Sequence, residues 1–169
     1  MAELIQRIEI DAPIESVWAE ITKLGSVQRP LLNTVLQTTF EPGSPIRYTS
    51  PDGKRTFVIG RIVEVSEPTL FSHTYVMTMH DDPPTLVTWH LEELAPGRVQ
   101  VTLTHEGWAD DSTNMAKHGK TWAGILADLK RQVETGDVPT RTKISQAVMS
   151  AFMFAMPAKT KTQNVKPPQ

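Results

Sequence analysis

The chain has no cysteine. Disulfides, thiolate nucleophiles and zinc–sulfur sites are therefore excluded, and the composition fits a reducing compartment, the cytoplasm. No apolar run approaches the ~20 residues that a membrane-spanning helix needs. The N-terminus alternates apolar and charged residues and does not read as a signal peptide. Excess charge is missing too: 17 Lys and Arg against 19 Asp and Glu leave a net charge of −2. With no basic patch interleaved with aromatics, nothing points to nucleic acid as a partner. Neither Gly-x-Ser-x-Gly nor a glycine-rich phosphate loop occurs, and no Ser-His-Asp set is evident. The five histidines are His73, His80, His90, His105 and His118. They form no helical pair at ligand spacing, and His80-Asp81-Asp82 reads as a solvated loop beside Pro83-Pro84, so no metal and no cofactor are predicted.

What is present is a long helix and something to receive it. Met115, Gly119, Trp122, Leu126, Leu129 and Val133 recur at spacings of three and four, with His118 and Ile125 beside them. That is one apolar stripe, predicting a helix over 111–136. Asp111, Ser112 and Thr113 offer N-cap oxygens, and Gly136 suits a left-handed cap. At the other end, Ala2–Ile10 reads as a strand stopped by Asp11-Ala12-Pro13. Asp11 is positioned to cap a helix carrying Ile14, Val17, Trp18 and Ile21 on one face. Ser26–Leu32 reads as a second short helix or an irregular turn. From Thr34 to Trp108 the chain is a meander of strands separated by turn signals such as Pro51-Asp52-Gly53. On Arg55–Val65 the apolar face is read as Phe57, Ile59, Val63 and Val65, interrupted by Arg61. Phe71, His73, Tyr75, Met77 and Met79 alternate on one side of the next strand. Val99, Val101, Leu103 and His105 do so on the last. Strands segregated from helices give an α+β fold: a curved antiparallel sheet of six to seven strands around the long helix, with one or two short helices after the first strand.

Three stretches carry a family resemblance. Ile8-Glu9-Ile10-Asp11-Ala12-Pro13-Ile14-Glu15-Ser16-Val17-Trp18 is the first. Gly60-Arg61-Ile62-Val63-Glu64-Val65 with Glu67-Pro68 is the second. Thr102-Leu103-Thr104-His105-Glu106-Gly107-Trp108, with Leu126, Leu129 and Glu134-Thr135-Gly136, is the third. With these the chain resembles the START-like or Bet v 1-like superfamily of helix-grip folds, within it the branch similar to the C-terminal domain of activators of Hsp90 ATPase. The resemblance covers 1–136. It implies a helix-grip domain over 1–138 with a cavity between sheet and helix. It leaves three functions open: a carrier of hydrophobic ligands, a polyketide cyclase or dehydratase, or an Hsp90 co-chaperone module.

The residues predicted around such a cavity are Trp18, Tyr48, Arg61, His73, Tyr75, Trp89, His105, Met115, His118 and Trp122. An apolar pocket with a few converging polar groups is what a small-molecule site looks like. The plainer reading of each is a core residue whose polar tip finds a backbone partner. For Arg61 it is a rim residue with its head in water. A histidine there could act as general acid or base, but no catalytic residue is assigned. The expected occupant is a lipid, polyketide or aromatic metabolite, held without reaction. On the helix, Trp122, His118 and Met115 are expected to wall the pocket, and Leu126, Leu129 and Val133 to close the core. Residues 139–169 form an extension. Ile144, Val148, Phe152 and Met156 recur every fourth residue, predicting a short amphipathic helix that packs on its own domain, covers the pocket mouth or meets a second copy to form a homodimer. From Thr160 onward a Lys-, Thr- and Pro-rich tail is expected to be disordered.

Overall fold

A computed structural model describes residues 2–109 and 113–166. In chain order the elements are β1 (Ala2–Ile10), α1 (Ile14–Ile21), β2 (Val27–Gln28), β3 (Thr34–Gln37), β4 (Pro45–Thr49), β5 (Thr56–Ser66), β6 (Leu70–Met77), β7 (Thr85–Ala95), β8 (Arg98–Trp108), α2 (Thr113–Thr135) and α3 (Thr140–Ala151). Single 3₁₀ turns follow at Met153–Ala155, Ala158–Thr160 and Thr162–Asn164. The strands form one antiparallel sheet in the order β1-β8-β7-β6-β5-β4-β3-β2. The fold is α+β, with the sheet curled around the long helix α2.

The sheet has eight strands rather than six or seven, because Val27–Gln28 pairs with Val35 and Thr34 instead of forming a second helix. Only α1 stands between β1 and β2. Its N-cap position is Pro13 and no side chain caps it. Asp11 instead gives its backbone N–H to Glu134 at 2.8 Å, tying the start of the chain to the last turn of α2. The cap candidates Asp111 and Ser112 lie outside the described residues. Gly136 has φ of +79° and donates its N–H to Gln132 O at 2.8 Å, closing α2 in the left-handed conformation glycine adopts freely.

Alternation decides what faces the helix. Phe71 and His73 on β6, Val87, Trp89 and Leu91 on β7, and Val99, Val101, Leu103 and His105 on β8 are all buried. They meet Trp122, Ile125, Leu126 and Leu129 of α2. Through the middle of β5 the alternation runs opposite to the sequence reading, while Phe57 at its start and Val65 near its end pack against the core as read. Thr56, Val58, Gly60 and Ile62 face inward, and Ile59 and Arg61 are half-buried on the other side. Gly60 hides the inward face from a hydrophobicity count, and a register shift between Ile62 and Glu64 re-aims Val65. Among the described residues no helix is long and apolar enough to cross a membrane.

The extension docks on the sheet rather than being loose. Residues 160–166, expected to be disordered, include a fully buried Thr160 and a bridge from Lys161 to Arg55. Thr162 donates its N–H to Lys54 O and its hydroxyl to Gly53 O. Disorder fails there because Thr160 and Thr162 supply side-chain partners to the β4–β5 hairpin. The helix α3 inverts the expected amphipathic docking. Thr142 donates to Asp128 at 2.9 Å and Gln146 to Arg29 O at 2.7 Å, while Ile144, Val148 and Phe152 are 61%, 53% and 62% exposed.

Gly60 yields a direct test. A Cβ there would lie 1.8 Å from the carbonyl oxygen of Thr74, a backbone atom of the paired strand. Gly60→Ala is expected to cost about 3 kcal/mol or more in urea unfolding, as overpacking against backbone does. Stability equal to the parent chain would refute the close β5–β6 approach.

Candidate functional site

Between the sheet and the N-terminal half of α2 lies a cavity of about 120 Å³. Apolar cavities of ~150 Å³ take up benzene, so this one suits a single ring or part of a larger molecule. Tyr48 comes from β4, Phe57 and Val58 from β5, and His73, Tyr75 and Met77 from β6. Trp122 and Ile125 of α2 form the opposite wall. Leu31 and Leu32, from the turn before β3, and Thr34, the first residue of β3, line the mouth with Met149 and Met156 of the extension. Leu32 and Asn33 hold left-handed φ of 57° and 60° in that turn. Among the described residues, no Lys, Arg, Asp or Glu lines the cavity.

Of the ten residues predicted, Tyr48, His73, Tyr75 and Trp122 line it. The others are near or elsewhere. Trp18 is buried in the core through α1. Trp89 stands behind Trp122 in an edge-to-face contact, centroids 5.8 Å apart. His118 forms a layer behind Tyr75, with ring centroids 5.9 Å apart, and its Nδ1 lies 2.9 Å from Asn114 O. Met115 is half-buried one turn further toward the start of α2 and does not line the cavity. The wall formed by α2 is therefore Trp122 and Ile125, shifted by one turn from the expected Met115, His118 and Trp122. Arg61 is on the outer face, where its guanidinium donates to Gly43 O at 2.9 Å. The strand alternation of β5 puts it there, so it is no carboxylate receptor for this cavity.

His105 is buried within a relay of hydrogen bonds. Trp122 Nε1–H donates to His105 Nδ1 at 3.0 Å. Nδ1 is thereby the acceptor, and Nε2 carries the proton, facing Thr85 Oγ1 at 2.7 Å. The Thr85 hydroxyl donates onward to Tyr75 O at 3.0 Å. Both nitrogens of His105 are committed. Burial, then the neighbouring His118 and His73, hold its pKa down to about 3.

His73 is different. Its Nδ1 lies 2.8 Å from Thr74 O. A carbonyl only accepts, so Nδ1 carries the proton and Nε2 is left as a lone pair. Burial pushes its pKa down to about 4. Burial likewise raises both Tyr48 and Tyr75 above the ordinary phenol value, with Tyr75 adding to the shift of Tyr48. Among the described residues, neither phenol hydroxyl nor His73 Nε2 has a hydrogen-bond partner.

Several contributors escaped the sequence reading. Met77 and Met79 were visible in the alternation with His73 and Tyr75. Leu31 and Leu32 sit in a turn with no periodic signal. Arg55 had no signal at all. Its buried guanidinium donates to Pro157 O at 3.1 Å and Thr160 Oγ1 at 2.8 Å, and also reaches Met156 O and Phe154 O. That clip holds Met156 at the mouth.

A half-open sheet gripping one long helix, with an apolar cavity between them, defines a helix-grip protein. The model of activator of Hsp90 ATPase homolog 1-like proteins matches residues 11–134, and the chain belongs to that family. A search of the curated proteins found no match. Among solved structures, the Aha1 dimer of Colwellia psychrerythraea is 20% identical with a TM-score of 0.66, covering 80% of this chain and 98% of that one. CalU16 of Micromonospora echinospora is 18% identical with a TM-score of 0.63, covering 90% and 86%. An HSP90 activator of Plasmodium falciparum is 13% identical with a TM-score of 0.65, covering 81% and 98%. At these identities the likeness is one of fold.

The histidines generate a pH prediction. Both folded values lie below the ordinary 6.5 of an unfolded histidine. As pH falls below 6.5, the unfolded chain takes up protons that the folded rings refuse. Stability therefore decreases with falling pH, until about pH 4 for His73 and about pH 3 for His105. Urea midpoints followed from pH 6.5 to 4 are expected to fall, with a limiting slope of about 1.4 kcal/mol per pH unit for each ring. A flat profile in this window would contradict the neutral, buried state of both rings.

Proposed function

We propose that this protein binds a small hydrophobic molecule in the cavity between sheet and α2 and holds it without reaction. The observation that carries this reading is an apolar cavity lined by His73, Tyr48 and Tyr75, where among the described residues no charged side chain lines the wall and neither His73 Nε2 nor the two phenol hydroxyls have a hydrogen-bond partner. The electrostatics argue against catalysis at neutral pH. A base with a pKa of about 4 and phenols raised above their ordinary value are poorly matched to proton transfer there. His105, the other acid–base candidate, has no free nitrogen. A cyclase-like activity would have to rest on His73 alone, and an Hsp90-directed role draws on family membership and likeness of fold only.

The reading assigns residues 1–138 to the walls and 139–169 to a cover over the mouth, through Met149 and Met156. The absence of cysteine supports a reducing compartment, the cytoplasm. The test is native mass spectrometry of full-length protein from its own host, with extraction of the bound compound. One copy of an apolar small molecule per chain is expected, and it should be lost in a chain ending at residue 139. Protein that is empty and takes up no member of a panel of lipids and aromatic polyketides would overturn the proposal.

The same reading includes a second copy as a partner. The support is the exposed row Ile144, Val148 and Phe152 on α3, flanked by Phe154 at 79% exposure, and a structural neighbour solved as a dimer. Sedimentation is expected to give a dimer for the parent chain and a monomer for the Val148→Lys, Phe152→Ser double variant. A parent chain that sediments as a monomer at every concentration tested rejects the interface.

A further inference from the structure

We infer that the cavity selects an uncharged, mainly aromatic molecule bearing a hydroxyl, a phenol or aromatic alcohol, whose O–H donates to His73 Nε2 and whose oxygen accepts from the Tyr48 or Tyr75 hydroxyl. This rests on the reading that the cavity holds a small hydrophobic ligand and names that ligand's chemistry.

The hydrogen-bonding groups of the wall eliminate the other classes of occupant. His73 lines the cavity, and Thr74 O fixes its proton on Nδ1, so the ring's remaining nitrogen, Nε2, is a pure acceptor. Tyr48 and Tyr75 flank that ring, with centroids 5.8 and 6.3 Å from it. Each hydroxyl can donate or accept, and neither is used within the described residues. An occupant that leaves these atoms bare forfeits their hydration without return. A hydrocarbon does so for all three groups. A ketone or ether satisfies a tyrosine but presents only lone pairs to Nε2. A carboxylate or phosphate meets the same lone pair and finds no Lys or Arg on the walls, so its charge is buried without a partner. An ammonium finds no Asp or Glu. A neutral hydroxyl is both donor and acceptor and matches the inventory.

The rest of the wall sets the body of the molecule. Met77, Met79, Met149 and Met156 surround the cavity with thioethers, which contact aromatic rings favourably and adapt to shape. Phe57 and Trp122 add flat faces.

Four probes that differ at a single group test this: 4-ethylphenol, ethylbenzene, 4-ethylanisole and 4-ethylbenzoate. Each is titrated into full-length protein carrying ¹³C-labelled methionine methyls, followed by NMR together with the Trp122 indole N–H. The phenol is expected to bind roughly 2- to 10-fold more tightly than ethylbenzene for each hydrogen bond made. The anisole should lose the part of that advantage that needs a donor, and the benzoate should bind weakest. In Tyr48→Phe and His73→Phe the phenol's advantage over ethylbenzene should shrink toward one, with ethylbenzene binding retained. Equal binding of phenol, ethylbenzene and anisole, or tightest binding of the benzoate, overturns the hydroxyl assignment and leaves the cavity reading standing. No perturbation by any of the four overturns both. The probe ranking on the parent chain is decisive even if a variant does not fold.

Discussion

The hydrogen bond from Trp122 Nε1 to His105 Nδ1, 3.0 Å long and buried on both sides, fixes where the long helix sits on the sheet. The bond does more than join two side chains. By taking the Nδ1 lone pair it forces the proton onto Nε2, which then engages Thr85, whose hydroxyl engages the backbone of Tyr75. One helix residue is thus coupled through β8 and β7 to the β6 residue that forms the cavity wall. Removing a single member would leave a buried donor or acceptor without a partner, at about 1–3 kcal/mol. The edge-to-face contact between Trp122 and Trp89 holds the same indole from behind. The cavity exists because this contact sets the helix at a fixed distance while Tyr48, His73 and Tyr75 leave their tips unfilled.

A second constraint acts from far along the chain. Arg55 is a buried cation answered by carbonyls and a hydroxyl of residues 154–160 rather than by a carboxylate. Several charge-assisted hydrogen bonds offset part of the cost of burying it, and they hold the extension on the β4–β5 hairpin. The extension then spends its polar residues, Thr142 and Gln146, on docking. Its apolar row is left outside. A sequence-wise amphipathic helix is normally read as apolar side in. Here Met149 lines the cavity, and Ile144, Val148 and Phe152 are left exposed.

Much of this was legible. The period of α2, the alternation of β6 to β8 and the turn signals between them follow from residue spacing, and three cavity residues, His73, Tyr75 and Trp122, came from the same spacing. What failed did so for identifiable reasons. On β5 a glycine at the inward position made the wrong face look more apolar, so Arg61 was read as facing inward. The two-residue strand Val27–Gln28 is too short to carry a period. Leu31, Leu32 and Arg55 act through turns and through contacts more than 90 residues distant in sequence for Arg55, which no local pattern encodes. The helix wall was placed a turn too early because His118 and Met115 share the stripe, and only its packing against Tyr75 and Trp108 sets His118 behind the cavity wall.

His73 and His105 make the last point. Both sit at inward positions of antiparallel strands, among aromatic residues, and both are buried and neutral. Sequence spacing cannot tell them apart. Their neighbours do. His105 has a donor on one side and an acceptor on the other, and so has no chemistry left to offer. His73, which lines the cavity, has one backbone carbonyl and keeps the Nε2 lone pair uncommitted among the described residues. Even so, burial without a carboxylate partner leaves it a weak base, since a nearby negative charge is what would raise its pKa toward neutrality. Asp82, the acid closest in effect to the cavity's rear layer, acts on His118 instead. A carboxylate introduced beside His73 Nδ1 in place of the Thr74 carbonyl contact is the minimal change that would bring this ring toward the pKa that acid–base chemistry at neutral pH needs.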